Sequence, residues 1–177
     1  MSEITELLKG VDLAEYGEDY RAHTLELFRD YVSGAEAIST KRQTTNAFFL
    51  ALNSAIIGFV GYVQTSTLVA SDAVWFSLVS VAGAVLSYLW YRMVRSYRSI
   101  NSAKFEIISE VEKNFPLRLY EAEWELVGRG RNPARHLPFT RVEIAVPWVF
   151  FALHGSVVLQ LLGSGFIASL NCGASAA

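Results

Sequence analysis

The chain has 177 residues, 52% of them hydrophobic and only 18% charged, with a net charge of −2 and a mean hydropathy of +0.29. A soluble domain averages about 25% charged residues, so the balance argues against a water-soluble fold and leaves space for only a small polar domain. Three histidines without metal-ligand spacing and one cysteine, Cys172, exclude a zinc cluster and an internal disulfide framework.

The first forty residues are polar and acidic, with no basic start and apolar run, so no signal peptide is expected there. Residues 1–42 form an acidic cytoplasmic arm, within which residues 19–42 read as an amphipathic helix. Leu27, Phe28, Tyr31, Val32, Ala35 and Ile38 recur at three- and four-residue spacing on its apolar face. Gly34 weakens it slightly, and no proline separates it from the apolar run that follows, so one long helix is expected to continue into the membrane.

No Lys, Arg, Asp or Glu occurs in residues 43–71, 73–91 or 144–177. A bilayer core of about 30 Å demands roughly 20 apolar residues, which places a transmembrane hairpin in residues 43–91, with spans at 46–64 and 73–91. A third span lies within 142–170, followed by an outer tail at 171–177. Thr140 and Glu143 read as a capping box at the start of the third span, with Pro147 just past its first turn. Tyr62 and Trp75 are expected at the outer membrane boundary, and Trp90, Tyr91 and Trp148 at the inner one.

Between spans two and three, residues 92–141 form a basic cytoplasmic region. Val94, Tyr97, Asn101, Phe105, Ile108, Val111 and Phe115 make a helical stripe ending at Pro116. A short helix at 120–127 precedes breakers at 128–133. All 15 Lys and Arg fall in residues 1–42 and 92–141, so positive-inside counting puts the N-terminus and the long loop in the cytoplasm and the C-terminus outside. Residues 1–42 carry nine acids against five bases (−4), and residues 92–141 six acids against ten bases (+4). Two readings stand: the helical extensions pack as a charged stalk, or the excess is ordinary positive-inside charge near anionic lipid.

Inside the spans, small and polar residues mark helix contacts. Ala47, Ala51, Ser54, Ala55, Gly58 and Gly61 of the first span, and Ser77, Ser80, Ala84 and Ser87 of the second, are expected to pack the hairpin. Asn46 and Asn53 share a face seven residues apart. Their partners lie between subunits, in water of a central cavity, or inside the subunit. His154 in the third span is either a packed neutral side chain or a proton sensor. Candidate packing or pore-facing residues are therefore Asn46, Asn53, Gly58, Ser80, Ala84, Ser87 and His154. Candidate cytoplasmic interaction residues are Arg95, Arg98, Asn101, Lys104 and Trp124. Gly128 and Gly130 lack the spacing of a phosphate loop, and no nucleophile–base motif is present, so neither catalysis, cofactor nor nucleic-acid binding is expected.

Several blocks occur together: KRQTTNAFFL (41–50), YLWYR (88–92), RSYRSINSAKF (95–105), PL (116–117), YEAEW (120–124), LPFTRVE (137–143) and VP (146–147). Taken in order, they resemble the RipA family of small octameric bacterial membrane proteins over about residues 20–155. The resemblance implies a homo-oligomeric, octameric inner-membrane protein without catalytic residues, linked to bacterial adaptation and intracellular growth. A second similarity is to SLATT-type effectors of bacterial conflict systems, which implies a pore. The expectation is an all-α integral membrane protein: three transmembrane helices with helical cytoplasmic extensions, assembled into an oligomeric ring. Its partners are copies of itself, the bilayer with its anionic lipids, and a further protein. It acts as a scaffold or regulator, the alternative being a channel or pore-forming effector of a stress or defence system.

Overall fold

The computed structural model describes residues 3–65, 73–128 and 139–174. These form six helices: α1 (Glu3–Leu7), α2 (Leu13–Tyr16), α3 (Tyr20–Thr65), α4 (Ala73–Glu112), α5 (Leu119–Leu126) and α6 (Phe139–Ala174). No strand occurs among the described residues. Three helices, α3, α4 and α6, contain windows long and apolar enough to cross a membrane. The connection expected at 65–72, beyond Thr65, and the breakers at 129–133 lie outside the described residues.

α3 is one uninterrupted helix of 46 residues, as the absence of proline predicted. Its polar side chains turn back on their own helix: Thr24 Oγ1 donates to the Tyr20 carbonyl at 2.7 Å, and Thr65 Oγ1 to the Gly61 carbonyl at 3.3 Å. At Thr65, at the end of the apolar run, such a bond satisfies a hydroxyl that lipid cannot, whereas Thr24 lies in the polar arm. α4 likewise runs 40 residues, past its membrane window to Glu112.

The helices divide between two compact units. One comprises Met1–Gln43 and Ser96–Phe139, the other Thr44–Arg95 and Thr140–Ala177. In the first unit the early part of α3 packs antiparallel on the late part of α4. Phe28 and Phe115 rings meet at 4.9 Å, and Lys104 Nζ lies 4.0 Å from the Tyr31 ring centroid. Ala35 and Ile108 are buried between them. Leu27, expected on this face, is instead 68% exposed. It sits one residue, about 100° of helix, away from Phe28, and Thr24 occupies the turn it was assigned.

α1 and α2, not expected from the sequence, add to this unit; Thr5 Oγ1 donates to Glu110 Oε1 at 2.6 Å. α5 is anchored by Glu112, which is 3% exposed. Its carboxylate accepts the amides of Leu119 and Tyr120 at 3.0 and 3.1 Å, and that of Glu121 at 3.3 Å. One carboxylate thereby serves amides that the first turn of a helix leaves without partners, and its charge suits the positive end of the peptide dipoles. Gly128, at φ 75°, follows the last turn of α5, where a left-handed residue favours glycine. Glu112→Ala is expected to remove about 1 kcal/mol from this docking. Hydrogen exchange at the amides of Leu119, Tyr120 and Glu121 then speeds up roughly fivefold.

The second unit packs α3, α4 and α6 around Phe49, Trp90 and Val94, with Leu86, Ile144, Val146 and Phe150 against them. Phe49 and Trp90 stack at 5.9 Å with 8° between their planes. Trp90 is 2% exposed within the protomer, where its indole N–H finds a protein acceptor. α6 is described from Phe139, so Thr140 lies within the helix, and the Thr140 side chain that the expected capping box uses lies outside the described residues. Pro147 is its ninth residue, buried inside the helix, where it costs one intrahelical bond. α6 also continues through residues 171–174, expected as tail.

This unit is apolar outside and carries buried polar groups beside its apolar core. Phe48, Phe59, Leu78, Val149 and Leu159 are all more than half exposed, whereas Asn53, Ser80, Ser87 and His154 are 0% exposed. In water that distribution loses hydrophobic burial and desolvates amides together. In lipid it places each group where it is favoured.

Candidate functional site

Three helices each deliver a polar side chain to one point in the second unit. α3 contributes Asn53, α4 contributes Ser87, and α6 contributes His154. Asn53 Nδ2 donates to the Phe49 carbonyl at 2.9 Å, one turn back on α3, which leaves its Oδ1 facing the other two helices. Ser87 Oγ lies 2.8 Å from Asn53 Oδ1 and 2.9 Å from the Gly83 carbonyl, so its single proton serves one or the other. His154 Nε2 lies 3.2 Å from the same Oδ1. An amide oxygen only accepts, so in this bond Nε2 carries a proton and donates.

Gly83 completes the junction. A Cβ at that position would overlap the Cε1, Nε2 and Nδ1 atoms of the His154 ring. The glycine is required by contact with imidazole, not by backbone conformation. Ser80 lies one turn away on α4, also fully buried; its Oγ and His154 Nδ1 have no hydrogen-bond partner among the described residues.

A second polar contact lies seven residues earlier on α3, two turns away. Asn46 Oδ1 accepts the Trp90 indole N–H at 2.8 Å, and Asn46 Nδ2 donates to Glu143 Oε1 at 3.2 Å. The two asparagines therefore each join α3 to both α4 and α6. Of the three partnerships open for them, the structure displays bonds inside the subunit. Asn53, at 0% exposure, lies away from the outer surface of the protomer.

Chemically the junction is a set of side-chain hydrogen bonds around one amide oxygen. Ser87 donates to an amide or a carbonyl and not to imidazole, so it is not activated as a nucleophile. The two large concavities, of about 840 and 930 Å³, are lined by residues of the other unit.

The remaining sequence candidates separate. Ala84 is half-buried on α4, but Gly58 of α3 is exposed, and nothing lies within 4 Å of a Cβ built on it. Ala47, Ala51, Ser54, Ala55 and Gly61 are exposed as well. The small residues of the first span thus point away from α4, contrary to the expectation that they pack the hairpin; the asparagine face does that instead. Arg95 is exposed, and its Nη1 donates to the Tyr91 hydroxyl at 3.1 Å. Arg98 is exposed; Asn101 is half-buried, with a buried Oδ1 lacking a partner among the described residues. Lys104 is occupied by Tyr31. Trp124, 49% exposed, lines the 840 Å³ concavity with Phe105, Tyr120 and Glu106. Burial raises the Tyr120 phenol above its ordinary value, and Glu36, Glu112 and Glu123 add to the effect, so it stays protonated.

Helices of this length, apolar outward and joined inward by amides, define a polytopic α-helical membrane protein. The profile of the octameric membrane protein family, 8xMP, matches residues 25–163, and the chain belongs to that family. No curated protein and no solved structure matches it.

Proposed function

We propose that the protein is a homo-octamer of the bacterial inner membrane that acts as a scaffold or regulator, without catalysis. Its N-terminus and the loop before α6 lie in the cytoplasm. The family supports self-association, and the distribution of Lys and Arg supports the orientation. The resemblance to RipA proteins supports the bacterial setting, and the cytoplasmic helices supply surface for a further protein partner.

The observation that carries the assembly is the face left over on α3. Asn46 and Asn53 are used inside the protomer, whereas Ala47, Ala51, Ser54, Gly58 and Gly61 are exposed. Small residues allow helix backbones to approach closely in lipid, where apolar burial gives little drive. A pore of the SLATT type lined by these two asparagines would need them to leave these bonds.

Gly58→Leu is the discriminating variant, because Gly58 is exposed and a Cβ there would have nothing within 4 Å. The detergent-solubilised wild type is expected to image as a closed ring of eight subunits, without conductance in planar bilayers. Gly58→Leu should shift the complex to smaller species while the chain still inserts. An unshifted particle removes this face from the interface, and a monomeric wild type removes the assembly. Ion leakage that Asn53→Leu abolishes would favour the pore instead.

A further inference from the structure

The membrane-embedded unit carries an aromatic ledge with two arginines. Tyr88 and Tyr91 of α4 lie 6.3 Å apart; Tyr91 meets Trp148 of α6 at 5.2 Å, and Trp148 meets Phe151 at 5.4 Å. The ledge holds the guanidinium groups at its edge. Arg92 Nη1 donates to the Tyr88 hydroxyl at 3.4 Å, and Arg95 Nη1 donates to the Tyr91 hydroxyl at 3.1 Å. Arg95 also lies over the Tyr91 ring at 5.7 Å.

Both arginines are exposed, and neither is paired with a carboxylate among the described residues. Each guanidinium has five N–H donors, of which the tyrosine uses one. The rest remain directed at an environment that must supply acceptors. One turn toward the membrane interior, Val85 and Leu89 are about half exposed, so the same face offers apolar contact. Rings at headgroup depth, free guanidinium donors beside them and aliphatic surface below match one molecule with a phosphate and acyl chains.

We propose that Arg92 and Arg95, braced by Tyr88, Tyr91 and Trp148, form a binding site for the headgroup of an anionic phospholipid. The phosphate takes charge-assisted bonds from both guanidinium groups, and the acyl chains lie along Val85 and Leu89. Tethering to the tyrosines reduces the rotamer freedom that a free arginine loses on binding, which separates this site from scattered positive-inside charge.

The proposal rests on the reading that this unit is embedded in the bilayer. A chain that fails to fractionate with membranes overturns that reading, whereas an inserted chain without headgroup preference overturns only the site. The full-length protein, purified in detergent, is titrated with phosphatidylglycerol and with phosphatidylcholine, and bound lipid is counted by native mass spectrometry. Wild type is expected to prefer the anionic lipid, and the Arg92→Gln/Arg95→Gln double variant to bind it about 25-fold more weakly, roughly fivefold per arginine. Arg21→Gln/Arg29→Gln removes the same charge from exposed positions of the other unit and should leave binding unchanged. Retained affinity in the first variant, or an equal loss in the second, overturns the site. Displacement of the lipid by inorganic phosphate at equal concentration makes it a free-anion site. Collapse of the complex in the first variant gives the arginines a structural role and also overturns the proposal.

Discussion

Gly83→Ala is expected to lower the thermal midpoint of the detergent-solubilised protein by roughly 5–10 °C. The added methyl occupies space filled by the His154 ring. Overpacking a tight interior costs about 1–3 kcal/mol, and moving the ring also loosens its bond to Asn53 Oδ1. For a chain of this size each kcal/mol corresponds to about 2–4 °C. The cause is testable by compensation. His154→Ala empties the space the new methyl needs, so Gly83→Ala/His154→Ala should be more stable than the sum of the single changes predicts. Strict additivity would show that the ring is not what makes alanine costly.

Asn53→Leu produces the next largest effect. It removes the acceptor of the His154 Nε2 proton and one of the two open to Ser87 Oγ, which keeps the Gly83 carbonyl. A buried donor left without a partner costs about 1–3 kcal/mol in a protein interior. Measured couplings in membrane bundles are smaller, averaging about 0.6 kcal/mol, because the unfolded chain in lipid also finds partners. A loss of about 1–2 kcal/mol, or roughly 2–8 °C in midpoint, is expected. Replacing both ends distinguishes bonding from packing. In Asn53→Leu/His154→Leu no orphaned imidazole remains, so the double variant should recover part of what the single one lost. A double variant less stable than either single one would show that shape, and not hydrogen bonding, fixes this point.

Much of the architecture was legible because charge is so sharply confined. Three long uncharged runs mark the apolar windows of α3, α4 and α6, and the lack of a proline between residues 19–42 and the first of those runs anticipated a continuous α3. Asn46, Asn53, Ser80, Ser87 and His154 stood out because each interrupts an apolar run. Their partners were not legible, since a hydrogen bond between helices depends on rotation and depth as well as on residue type. Trp90 shows the difficulty: indole at the edge of a span reads as an interface anchor, and nothing in its type announces that Asn46 accepts its N–H. Gly83 carried no visible signal, because its need for a bare Cα comes from a ring 71 positions away in the chain. Glu112 looked like any acid on a helix. Only the turn that brings residues 119–121 back to its carboxylate reveals it as an anchor. The small residues of the first span were recognised as contact-forming, but composition does not say which of two faces turns inward.

The inverted arrangement of the second unit has a consequence for how such a chain diverges. Leu78, Val81, Val85 and Leu89 face outward and can exchange with one another's residue types whenever the bilayer accepts the result. Asn53, Gly83, Ser87 and His154 are tied to one another and must change together or stay. Rates of substitution along α4 are therefore expected to rise and fall with the helical repeat, fastest at its most hydrophobic positions.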